Sequence, residues 1–155
     1  MRENTSPEGN SPEVNPLEGD SAEERIVRKL KEKGWHVTCA ESCSGGMIAS
    51  RLVNVAGVSD VFGESYVTYA NSAKHKLLGV SPEALQTYGA VSPQVAEQMA
   101  RGAAMQAGAQ VSVAVTGIAG PDGGTSEKPV GLVYIGCFVD GKVFVTRNLF
   151  QGNRT

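Results

Sequence analysis

Ser42, Cys43 and Ser44 stand together in "CAESCSGGM" (residues 39–47), and Gly45 and Gly46 follow them directly. The stretch joins an apolar strand-like run to an apolar helix-like run. At such a junction the first N–H groups of the helix lack partners and favour an anion or a developing oxyanion. The glycines let backbone approach a ligand, and Ser42 or Ser44 supplies a hydroxyl. A phosphate cradle and a nucleophile beside an oxyanion hole share this geometry. So does a plain capped helix start, for which serine is a preferred residue. A second stretch, "GIAGPDGG" (117–124), carries Gly117, Asp122, Gly123 and Gly124. It matches neither dinucleotide nor P-loop fingerprints and leads into a hairpin rather than a helix. Residues 117–129 read as a 13-residue loop, a length that is uncommon in a compact domain unless the loop has work to do.

A hydroxyl nucleophile needs a base. His36 falls within an expected strand beside Trp35, as a packed or edge histidine would. His75 follows Lys74 on a short expected helix, so the two side chains point about 100° apart. Lys74 is the other candidate, five residues after Tyr69. To serve as a base its pKa must fall by roughly 3 pH units, about 4 kcal/mol, through burial and nearby donors. The plain alternative for this lysine is a solvated surface charge.

The remaining composition excludes several classes. Net charge is −2, with 14 Lys+Arg against 16 Asp+Glu and no basic stripe, so no nucleic-acid partner is expected. No run approaches ~18 apolar residues, and no secretory leader pattern opens the chain, so no membrane partner is expected. Cys39, Cys43 and Cys137 cannot close a disulfide set and read as reduced thiols of a cytoplasmic protein. With His36 and His75 the only histidines, a three-histidine metal site is impossible. Neither metal nor cofactor is expected.

The elements that must position these residues can be read in order. Residues 1–20, rich in Pro, Glu, Asn, Ser and Gly, read as a disordered tail, and residues 21–155 as one domain. "SAEE" at 21–24 is a capping box opening a helix that stops at Gly34. A strand over Trp35–Ala40, a helix over 46–55 and a strand over 63–70 come next, then a helix over Asn71–Leu78. "SPEALQTYG" (81–89) and "SPQVAEQMARGAAMQAG" (92–108) each begin with a serine cap and a proline. The second presents Ala96, Ala100, Ala103 and Ala107 on one face, suited to close packing on a sheet. A buried strand over 109–117 leads through the long loop to a hairpin turning at Asp140-Gly141. The order predicts an α/β domain with a mixed sheet. The strands at 109–117 and 131–139 are apolar at nearly every position, so both faces want cover. No helical pattern follows the last strand. The covering helix therefore reads as missing, and a chain extended by about 20–25 helical residues is expected to be more stable and more active.

"AESCSGG", "VTYANSAK", "GAVS", "TGIAGPDGGTSEKPVG" and "GNR" follow one another. In that order they resemble the CinA C-terminal domain family, which includes stand-alone nicotinamide-nucleotide amidohydrolases. The resemblance spans about residues 22–155. It implies a three-layer α/β/α sandwich, commonly a homodimer, and hydrolysis of nicotinamide mononucleotide to nicotinate mononucleotide and ammonia. It further implies Ser42 as nucleophile, Lys74 as its base and Tyr69 lining the same site. Cys43 is the rival nucleophile, although neighbours in an extended turn point to different sides. The amides of 44–46 are expected to hold the oxyanion. The substrate phosphate is expected among those amides, the 117–124 loop and Arg154. The competing class is a nucleotide-binding regulatory module that keeps the pocket and has lost turnover.

Overall fold

The computed structural model describes residues 20–152. Helix α1 (Ala22–Lys33) opens with the expected capping box. Ser21 Oγ accepts the Glu24 N–H, and the Glu24 carboxylate accepts the Ser21 N–H. Gly34, in the left-handed region, ends the helix. Strand β1 (Val37–Glu41) is buried at all five positions. It begins after Trp35 and His36 rather than at Trp35. His36 is exposed, and its N–H donates to the Gln110 side chain at 2.9 Å, so the expected mid-strand histidine lies before the strand.

Helix α2 (Met47–Val53), a 3₁₀ turn at Val58–Asp60 and strand β2 (Tyr66–Val67) follow. The strand expected over 63–70 is reduced to two residues, paired with Ala40 and Glu41. Residues 68–70 have no strand beside them because β1 ends at Glu41, and 63–65 lose regular pairing because the register slips by one residue between Val37–Phe62 and Ala40–Tyr66. Helices α3 (Asn71–Leu78), α4 (Pro82–Tyr88) and α5 (Pro93–Ala107) come next, the last two capped by Ser81 and Ser92 with proline in the first turn. Strands β3 (Val111–Gly117), β4 (Leu132–Val139) and β5 (Lys142–Leu149) complete the described chain. β4 and β5 turn at Asp140-Gly141, where φ is 45° and 89°, the left-handed pair that a two-residue hairpin requires.

The sheet order is β2-β1-β3-β4-β5, parallel among the first three strands and antiparallel across β3-β4-β5. On one face, α5 lays its alanines against Ala40 and Ala114, with α3 and α4 beside it. Gly136 completes that contact. A Cβ there would stand 2.6 Å from the Ala96 carbonyl oxygen. On the other face, Val27, Leu30 and Leu52 of α1 and α2 pack on Val37 and Cys39. The domain is therefore α/β in three layers around a mixed sheet.

The second helical layer stops short. Strand pairing aligns Cys137 with Phe144, and Val113 with Cys137, on the α1/α2 side. Among the described residues no helix lies over this part of the sheet, and Phe144 is 59% exposed. A cavity of about 340 Å³ opens there, walled by Met47, Ile48, Val115, Ile118, Val133 and Ile135.

Candidate active site

β1, β2 and β3 run in one direction, so their C-terminal ends emerge on one edge. The order reverses at β1, with β2 on one side and β3 on the other. Connections leaving such a switch point diverge and open a crevice for a ligand. Ser42 follows β1 at this edge and donates its N–H to the Val115 carbonyl at 3.0 Å. Thr68 and Tyr69 follow β2, and Gly117 ends β3.

Lys74 enters the crevice from α3. Lys74 and Leu78, four residues apart, are the two buried residues of that helix. The surface-charge alternative fails, since Lys74 is 0% exposed. Its Nζ lies 3.0 Å from Ser42 Oγ, 2.7 Å from the Thr68 carbonyl oxygen and 3.2 Å from that of Tyr69. Among the described residues it forms no ion pair with a carboxylate. Burial holds its pKa below the ordinary lysine value, opposed in part by the Cys43 charge. The three acceptors match the three hydrogens of an ammonium; once the proton is lost, the two carbonyls can keep two hydrogens while the lone pair faces the Ser42 hydroxyl. His75 points elsewhere, with Nδ1 2.9 Å from the Val80 carbonyl oxygen. Tyr69 meets this pair through its backbone, while its side chain is 62% exposed.

The 42–46 turn differs from expectation in one respect. The helix end offered to an anion is already filled by the chain's own Glu41. This fully buried carboxylate accepts the Ser44 hydroxyl (2.6 Å) and the N–H groups of Gly46 (2.9 Å), Ile48 (3.1 Å) and Ala49 (2.9 Å). The Gly45 N–H goes to the Ser42 carbonyl at 3.1 Å. Of the amides expected to serve an oxyanion, those of Gly45 and Gly46 are thus spent internally. Both glycines answer a backbone need instead, with φ of 61° and 107°. The N–H groups of Cys43 and Ser44 remain beside Cys43 Sγ and favour its charged form, but burial outweighs them and holds the thiol above its usual range. Cys43 packs toward Gly117 and still feels the charge of Lys74. A Cβ on Gly117 would meet its Sγ at 3.1 Å.

Glu41 is the site residue that the sequence reading did not single out. Its signal lies in the helix that follows. The N-cap of α2 is Gly46, which has no side chain to cap with, so the helix must find its acceptor elsewhere.

The 117–129 loop reaches the site only at its base. Gly117 packs against the turn, whereas Asp122, Gly123 and Gly124 are exposed and no described contact brings them to Ser42 or Lys74. Lys128 ties the loop's far end to the Tyr88 carbonyl at 2.6 Å. Cys43 and Ser44 line the apolar cavity, but Ser42 and Lys74 do not. Arg154 lies outside the described residues, as do positions 1–19 of the expected tail. No described helix is long and apolar enough to cross a membrane.

Comparison with known proteins agrees with the fold. The CinA C-terminal domain family matches residues 19–155. The nicotinamide-nucleotide amidohydrolase PncC of Enterobacter agglomerans is 56% identical over 130 residues, which is 83% of this chain and 79% of that protein. A CinA-like protein of Kosmotoga olearia is 51% identical over 135 residues, and there the match covers 87% of this chain but 33% of the relative's length. Among solved structures, the competence/damage inducible protein CihA from Agrobacterium tumefaciens superposes with a TM-score of 0.83 at 46% identity, covering 85% of this chain and 81% of that one.

Proposed function

Since the chain belongs to the CinA C-terminal domain family, we propose that it hydrolyses the carboxamide of nicotinamide mononucleotide to nicotinate mononucleotide and ammonia. The observation that carries this reading is the buried Lys74 Nζ, 3.0 Å from Ser42 Oγ with no carboxylate partner among the described residues. Ser42 attacks the amide carbon as Lys74 takes the hydroxyl proton. The tetrahedral oxyanion forms against the N–H groups of Cys43 and Ser44, the two in the turn that Glu41 and Ser42 leave unclaimed. Lys74 returns the proton to the departing nitrogen, and ammonia leaves a Ser42 ester. Water, deprotonated by the same amine, attacks the ester carbon and releases the carboxylic acid with Ser42 restored.

Ammonia release from the mononucleotide tests this reading. Ser42→Ala should lose ~10³-fold or more in kcat, as removal of a covalent nucleophile does. Cys43→Ala should stay within a few-fold of the parent. Full activity in the serine variant would overturn the assignment. Tight calorimetric binding without ammonia release by the unaltered chain would instead make it a nucleotide-binding module.

A further inference from the structure

We propose that Glu41 is the positioning residue of this site, fixing the nucleophile, the oxyanion-binding turn and the anchor of the base from one buried point. The inference rests on the amidohydrolase reading above. Glu41 immediately precedes Ser42, and its main-chain carbonyl accepts the Thr68 N–H at 2.8 Å. The Thr68 carbonyl is in turn the shortest contact of Lys74 Nζ. Through its side chain, Glu41 holds Ser44, Gly46, Ile48 and Ala49. The segment between these bonds is the one that presents the Cys43 and Ser44 amides.

The requirement is for a carboxylate rather than for any polar residue. Four donors converge on two oxygens, and an ionised carboxylate offers about four lone-pair sites and no hydrogen. Glutamine keeps the shape but turns an NH₂ group toward donors, leaving one or more of them unpaired in a buried place. Bonds of this kind, from charged acceptor to backbone N–H, are shorter and stronger than neutral ones. Glu41 touches neither the reacting carbon nor its oxygen. Its effect should therefore appear where turn geometry matters most, in the transition state.

The test compares Glu41→Gln with the parent by ammonia release, thermal melting and the rate at which a fluorophosphonate labels Ser42. The expected result is a kcat loss of ~10²-fold, the scale of losing an oxyanion donor, with KM within about three-fold. Ser42 labelling should slow in parallel. Ser44→Ala removes one of the four donors and leaves the carboxylate three, so it should fold even where Glu41→Gln does not. Its expected kcat loss is several-fold with KM unchanged. A merely structural role would lower the melting midpoint while kcat per folded molecule and the labelling rate stayed at parental values, and that result would overturn the proposal. Parental kcat in a folded Ser44→Ala would do the same if Glu41→Gln could not be obtained. Should the parent label at Ser42 yet release no ammonia, the amidohydrolase reading fails by itself. The ratio of labelling rates would then still decide the role of Glu41.

Discussion

Lys74 illustrates how much a single side chain can owe to the backbone around it. Its two shortest acceptors other than the serine are main-chain oxygens, and its pKa is depressed mainly because the charged form is desolvated. The pH dependence follows with a definite sign. The folded chain binds the Lys74 proton less tightly than the unfolded chain does. This residue's contribution to stability therefore rises as pH increases through the folded value toward the ordinary lysine value of ~10.4. Activity should rise over the same limb as the amine becomes a base, with its apparent midpoint below that ordinary value. Lys74→Met should lose ~10²–10⁴-fold in kcat, the range for a general base. Its melting midpoint should fall progressively further behind the parent's as pH is raised, and melts at several pH values check this. Lys74→Arg should be equally inactive, since its guanidinium does not deprotonate. At this scale legibility was uneven. Ser42 and Lys74 were visible as candidates from residue type, but the choice between a base and a surface charge depended on family resemblance, because burial of one lysine is a tertiary fact. Glu41 was opaque for a related reason. The groups that make it important are amides of a helix start five to eight residues away, and those positions meet it only once the turn has formed.

The secondary-structure elements were read best where their signals are local. Ser21 with Glu24, Ser81 with Pro82, Ser92 with Pro93, and the glycines at 34, 79 and 108 set helix ends through contacts within a few residues. The length of β2 was not legible because it depends on where its partner stops and on a one-residue slip in register, and periodicity carries neither. The seat of α3 is likewise set by a distant residue. A Cβ on Gly102 of α5 would stand 1.9 Å from the Leu78 carbonyl oxygen, so α3 packs close because that position has no side chain. Gly102→Ala should cost ~1–3 kcal/mol by overpacking, and it should also reduce kcat by shifting the helix that carries Lys74. Gly136→Ala offers the control. It too would crowd a main-chain oxygen, that of Ala96, yet β4 supplies no member of the Ser42–Lys74 pair. It should lower the melting midpoint with kcat per folded molecule close to parental. Equal kcat losses in both variants would show that the site responds to general loosening rather than to the position of α3.

Across the whole molecule, the layered architecture was legible from alternating helix and strand signals. Cover on the sheet was legible only as a need, from strands apolar at nearly every position. The structure locates that need on the α1/α2 side of β3, β4 and β5, around Ile135, Cys137 and Phe144. A contiguous apolar surface of this kind binds apolar dyes. Residues 20–152 in isolation should therefore enhance anilinonaphthalene sulfonate fluorescence, and Phe144→Lys should reduce the signal with little effect on the melting midpoint. An unchanged signal would place the bound dye elsewhere. The shared edge at which β1, β2 and β3 end has a consequence of a different kind, concerning descent with modification. The Ser42–Lys74 pair is anchored by strand ends and main-chain carbonyls, groups that every residue type supplies. A lineage could thus vary the side chains of Thr68 and Tyr69 and keep the Ser42–Lys74 contact, because Lys74 meets both residues through their carbonyl oxygens.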